Sequence, residues 1–289
     1  MKTILVPLFD GDSTEADILV KAALTTALQI AEKFNAHMEG LFVRGTPITG
    51  AAPVEISPRY LDGYREYWDE SCNKARNLFS SFMADHDIPV HKIGEASDKV
   101  TASWREIEGS RPRTIGDYGR LFDLIVIPRI PEKADDEWMP VCEAALFETG
   151  RPVVVAPPVA LGSFGKSIVI AWNGSTETAG TISMAMPILM AAEKVSVLSI
   201  KGATGGMVPG PSGEMVATHL LRNGIKTTEK TVMARGLSAG AAVLENATAS
   251  GADLLVKGAY THSRLRQIIF GGTTRHVFYE ARIPVLIAH

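Results

Sequence analysis

The chain has 289 residues, 46% of them hydrophobic and 21% charged, enough for one large domain or two of ordinary size. Its 29 basic residues against 32 acidic ones leave a formal charge of −3, which excludes the broad positive field of a nucleic-acid or anionic-membrane binder. The two cysteines, Cys72 and Cys142, stand far apart in no metal or redox spacing, so a disulfide scaffold is not expected and a reducing cytoplasm is the natural compartment.

The opening MKTILVPLFDGD carries one lysine and a short apolar run, which reads as a buried strand and not as a signal peptide or membrane span. A helical pattern runs from Glu15 to Phe34. After the second strand comes an irregular stretch, RGTPITGAAPVEISPR, and then YLDGYREYW at residues 60 to 68, which reads as the face of an amphipathic helix. Asp85, His86, Asp87 and His91 surround Pro89 in turn-like surroundings and suit a solvated connection better than a metal site. Two short apolar runs, DLIVIPR from Asp123 and ETGRPVVVAPP from Glu148, close the first half as buried strands.

PPVALGSFGKS, residues 157 to 167, gathers proline and glycine and reads as a linker. Its Gly165-Lys166-Ser167 end fits a loose phosphate-loop pattern, but IVIAW follows, a strand where such a loop needs a helix. A helical pattern from Glu177 to Glu193 comes next, then a second irregular stretch, KGATGGMVPGPSGEM, to be read as a lid or a surface loop. Gly236-Leu237-Ser238-Ala239-Gly240 fits a hydrolase nucleophile elbow, with Asp253 and His262, His276 or His289 as nominal partners. The preceding TTEKTVMA is too polar for the buried strand that such an elbow ends, so Ser238 is expected to be a helix N-cap.

The elements repeat. ILVPLFDGD matches IVIAWNGST, DLIVIPR matches DLLVKGA, and ETGRPVVVAPP matches EARIPVLIAH, in the same order. The sequence therefore predicts two tandem Rossmann-like, doubly wound α/β domains with parallel sheets, residues 1–160 and 161–289.

The chemistry concentrates in GAYTHSRLRQIIFGGTTRHV, residues 258 to 277. It leaves the end of a strand, where ligands of such folds bind. Gly258 allows close approach of backbone, and Gly271-Gly272 precede a helix, Thr273 to Ala281, whose unpaired N–H groups can receive an anion. Thr273 and Thr274 add hydroxyls; His262, Arg264, Arg266, Arg275 and His276 add basic groups. In the first half the aligned positions are Met139-Pro140, preceded by Glu132, Asp135, Asp136 and Glu137. Phosphate would there meet like charge and a residue with no N–H.

These duplicated halves, the IAWNGS opening, the glycine stretch and the closing IPVLIAH resemble the universal stress protein family in its tandem two-domain form. The resemblance covers essentially the whole chain. It implies an adenine nucleotide alpha hydrolase-like fold, a stress-response role and, through a Gly-x2-Gly-x9-Gly-Ser/Thr motif, binding of ATP or another adenine nucleotide, with or without magnesium. Gly258 and Gly271 match the first and last glycines of that motif. Thr261 replaces the second glycine, Gly272 stands where the first Ser or Thr belongs, and Thr273 and Thr274 follow. Asn173 matches a carboxylate that contacts adenosine in ATP-binding relatives, with Ala171 beside it. The expected nucleotide-binding set is thus Ala171, Asn173, Gly258, Thr261, Gly271, Gly272, Thr273 and Thr274, regulatory or sensing in role. No catalytic residue is nominated, although slow ATP hydrolysis is compatible with the set. The resemblance also implies pairing through the last strands, VVVA and VLIA, within the chain and in a homodimer. The competing readings are a nucleotide-free protein acting by dimerisation and partner binding and, more remotely, a Ser238 hydrolase.

Overall fold

A computed structural model describes residues 1–9, 14–46, 58–91, 97–129, 138–159, 161–203, 206–259 and 272–289. The first half contributes strands β1 (Thr3–Leu8), β2 (His37–Arg44), β3 (Thr101–Glu108), β4 (Leu124–Pro128) and β5 (Val153–Ala156), with helices α1 (Thr14–Phe34), α2 (Pro58–Asp85), α3 (Arg111–Tyr118) and α4 (Trp138–Phe147). The second contributes β6 (Ser167–Ala171), β7 (Lys194–Lys201), β8 (Thr227–Met233), β9 (Leu254–Gly258) and β10 (Val285–Ala288), with α5 (Thr176–Met190), α6 (Gly213–Arg222), α7 (Ala239–Ala249) and α8 (Gly272–Glu280).

All ten strands form a single sheet in the order β3-β2-β1-β4-β5-β10-β9-β6-β7-β8. Within each half the neighbours are parallel, and among the described strands the one antiparallel junction joins β5 to β10, with Val154 opposite Leu286. The sequence marks VVVA and VLIA as strands open to pairing; here each covers the other, and the sheet ends instead on β3 and β8. The polar β8 is an edge strand, largely exposed, as the charge in TTEKTVM permits.

Because side chains alternate along a strand, each inner strand feeds two cores. Leu254 and Val256 of β9 pack with α1, α5 and α6, whereas Leu255 faces the side of α7 and α8. The linker is fastened over its second half. Asp253 accepts from Ser163 Oγ (2.7 Å) and from the backbone N–H groups of Lys166 and Ser167 (3.1 and 2.9 Å), and Lys33 of α1 donates to the carbonyl of Gly165 at 2.6 Å. In the first half Asp123 likewise accepts from the N–H groups of Lys2 and Thr3, so the repeat extends to hydrogen bonding at the strand entrances. The aromatic stretch at 60–68 belongs to a 28-residue helix, α2, longer than its aromatic stretch announces. No described helix is long and apolar enough to cross a membrane.

Candidate functional site

In the second half β6 is followed by β7 on one side of it, while β9 lies on its other side and leads to β10. The crevice between the carboxyl ends of β6 and β9 is therefore the topological switch point, where open α/β sheets bind ligands. Three elements converge there. Ala171 and Asn173 come from the end of β6, Gly258 from the end of β9, and Gly272, Thr273 and Thr274 from the first turn of α8. Thr261 and Gly271, with His262, Arg264 and Arg266, lie outside the described residues.

The turn from β6 into α5 is built by short polar side chains. Ser175 caps α5, accepting from Thr178 N–H, a bond worth about 1 kcal/mol. Asn173 Oδ1 accepts from Ser175 N–H at 3.2 Å and from Thr178 Oγ1 at 2.8 Å, so the carboxamide oxygen is engaged inside the turn. Gly174 holds a positive φ of 90°, a conformation that glycine adopts without penalty. Over this turn lies the segment 206–212. Val208 N–H donates to Asn173 C=O at 2.9 Å, Trp172 Nε1 donates to Pro211 C=O at 2.8 Å, and a β-carbon on Gly210 would fall 2.2 Å from Gly174 C=O. The second irregular stretch is thus, over its described part, a strap packed backbone to backbone on the mouth of the crevice. Beyond it, α5 and α6 flank an apolar groove of about 490 Å³ that includes Trp172, Met186, Met215 and His219.

Gly258 owes its lack of a side chain first to packing. A β-carbon there would lie 2.4 Å from Thr178 N and 2.6 Å from Glu177 C, so the first turn of α5 rests directly on the end of β9. Lys257, one residue earlier, points to the opposite face and is buried; its ammonium donates to Gly258 C=O at 2.9 Å and to Thr274 Oγ1 at 2.8 Å. Burial pushes its pKa down from the ordinary 10.5 to about 8, because the charged form is what loses hydration. The buried Glu39 of the first half makes a contrast: it accepts from Arg105, Tyr118 and Ser103. Sequence reasoning passed over Lys257. The available signal was a lysine inside an apolar run, at the position where the repeat places Ile127 in the first half.

The other chemical patterns resolve into structural parts. Ser238 Oγ accepts from Ala241 N–H at 3.2 Å as the N-cap of α7, on an exposed turn that follows the edge strand β8. Lys166-Ser167 lead into β6, with their N–H groups held by Asp253. His86 Nδ1 bonds the carbonyl of Phe82. No cluster of His, Cys, Asp and Glu suited to a metal ion occurs among the described residues. Both cysteines are buried free thiols.

Residues 167–289 match the sequence model of the Universal stress protein family. In structure the whole chain is similar to a universal stress protein from Archaeoglobus fulgidus DSM 4304, with a TM-score of 0.65 at 13% identity, over 99% of this chain and 97% of that one. It is also similar to a functionally unknown protein from Pseudomonas aeruginosa PAO1, with a TM-score of 0.52 at 18% identity, over 100% of this chain and 92% of that one. At these identities the likeness speaks to fold. No curated protein matches the chain.

Proposed function

We propose, from the match of residues 167–289 to the Universal stress protein family, that the chain is a stress-response protein of that kind whose second half holds an adenine nucleotide as a regulatory ligand. One observation supports this most: Gly258 ends β9 beside the switch-point crevice, and the Lys257 ammonium ties its carbonyl to Thr274 in the first turn of α8. Free N–H groups of a helix start, hydroxyls and a strand end without a side chain are what a phosphate needs. The adenosine side would face Ala171 and the Asn173 turn. The phosphates would meet Gly258, Thr261 and Gly271 to Thr274.

A second reading, a nucleotide-free protein acting through partners, draws on the strap. Val208 and Gly210 rest on Asn173 and Gly174, on the side where a base would enter. Calorimetric titration with Mg-ATP separates the two. The nucleotide reading expects saturable binding at one site per chain, weakened by Gly272→Glu, which sets like charge against phosphate. Absence of binding to the folded wild-type protein would favour the second reading.

A further inference from the structure

Lys257 is a buried cation held by neutral oxygens. Its contacts among the described residues are the carbonyl of Gly258 and the hydroxyl of Thr274, and no ion pair to it occurs among those residues. Burying an ammonium without a counter-charge is costly, and the fold does not demand it. The first half has the same architecture, and there the repeat places Ile127 in the position of Lys257 and Cys142 in that of Thr274; both are completely buried in the apolar core beside α4. One half therefore fills this spot with an aliphatic side chain and a thiol. The other places an ammonium and a hydroxyl there, at the first turn of a nine-residue helix beside the crevice.

Direction matters as well as charge. An ammonium has three donors and no acceptor, so Thr274 Oγ1 must accept from Lys257, and its own proton must be donated elsewhere. We propose that Lys257 is a positioning residue for a phosphate subsite at the start of α8, where its ammonium sets the Thr274 hydroxyl to donate to an anion and supplies the charge behind it. The inference rests on the nucleotide reading and deepens it: Lys257 is what makes the site prefer a phosphorylated ligand to the bare nucleoside. The helix start contributes N–H donors, and charge-assisted hydrogen bonds to phosphate strengthen with the lysine close behind them.

The experiment is a calorimetric comparison of ATP, adenosine and inorganic pyrophosphate as ligands for the wild-type chain, Lys257→Met and Thr274→Val. The methionine substitution copies the apolar solution of the first half, and circular dichroism with a melting curve verifies that each variant is folded. The expected result is a loss of about tenfold or more in ATP affinity for both variants, the scale of one charge-assisted hydrogen bond, with adenosine affinity unchanged. A merely structural role for Lys257 would move both ligands together. Equal ATP affinity in wild type and Lys257→Met, with wild type still preferring ATP to adenosine, would overturn the inference and leave the nucleotide reading intact. If wild type binds neither nucleotide nor nucleoside, that reading fails, and pyrophosphate decides the rest: binding by wild type that both variants lose supports a phosphate subsite, and no binding overturns it. Should Lys257→Met not fold, Thr274→Val carries the same comparison.

Discussion

A β-carbon on Gly258 would lie 2.4 Å from the backbone nitrogen of Thr178. The last residue of β9 and the first turn of α5 are thus in direct backbone contact, and neither can yield without moving a whole element. Gly258→Ala is expected to cost about 2–3 kcal/mol of stability, the scale of overpacking against rigid backbone. Urea denaturation measures it. A variant as stable as wild type would show that α5 shifts freely, and the glycine would then be explained by ligand approach alone.

Lys257 gives the stability a specific pH dependence. The folded group has its pKa lowered to about 8 from 10.5, so between these values the unfolded chain binds more protons than the folded one. Stability from this group therefore rises as pH climbs from about 8 towards 10.5, and below 8 the full penalty stands. At about 1.4 kcal/mol per pH unit the penalty is about 3 kcal/mol. Lys257→Met is expected to melt higher than wild type at pH 7 and to flatten the rise across that window. Melting curves from pH 7 to 10 read both effects; a lower melting temperature at pH 7 would contradict them.

Ser238→Ala should remove the N-cap of α7 and lower stability by about 1 kcal/mol. Any ester hydrolysis by the preparation should be the same in both proteins. A proportional loss of hydrolysis in the variant would revive the nucleophile reading.

The antiparallel junction between β5 and β10 predicts the behaviour of a dissected chain. Residues 161–289 expressed alone would expose β10, a fully buried apolar strand in the intact protein. Such an edge invites pairing with a like edge. Light scattering should find this fragment dimeric, and a charged substitution at Leu286 should abolish the association. A soluble monomer would count against the edge as the driving surface.

Much of this architecture is legible in the residues, because apolar runs, their period and the duplicated blocks are local signals. DLIVIPR and DLLVKGA fall on β4 and β9, and the polar TTEKTVMA falls on an edge strand. What local pattern does not carry is which backbone touches which. The contact of Gly210 with Gly174, and of Gly258 with Thr178, joins segments whose nearness depends on the whole sheet. The role of Lys257 was hidden for another reason: a single lysine in a strand is normally solvated at the end of its flexible stem, and only its burial beneath Thr274 shows that this one is not. The strap over the Asn173 turn went unread because glycine and proline in KGATGGMVPGPSGEM signal a turn-rich path without saying what it packs against.

Joining the two halves through β5 and β10 in one chain frees them from symmetry. Two identical subunits paired this way must carry every feature in duplicate, so that two equivalent sites face the same solution and one can influence the other. Here Ile127 and Cys142 stand on one side of the junction, and Lys257 and Thr274 on the other. A ligand that depends on the second pair would titrate with a stoichiometry of one and a simple hyperbolic isotherm, while the first half serves as its permanently attached partner.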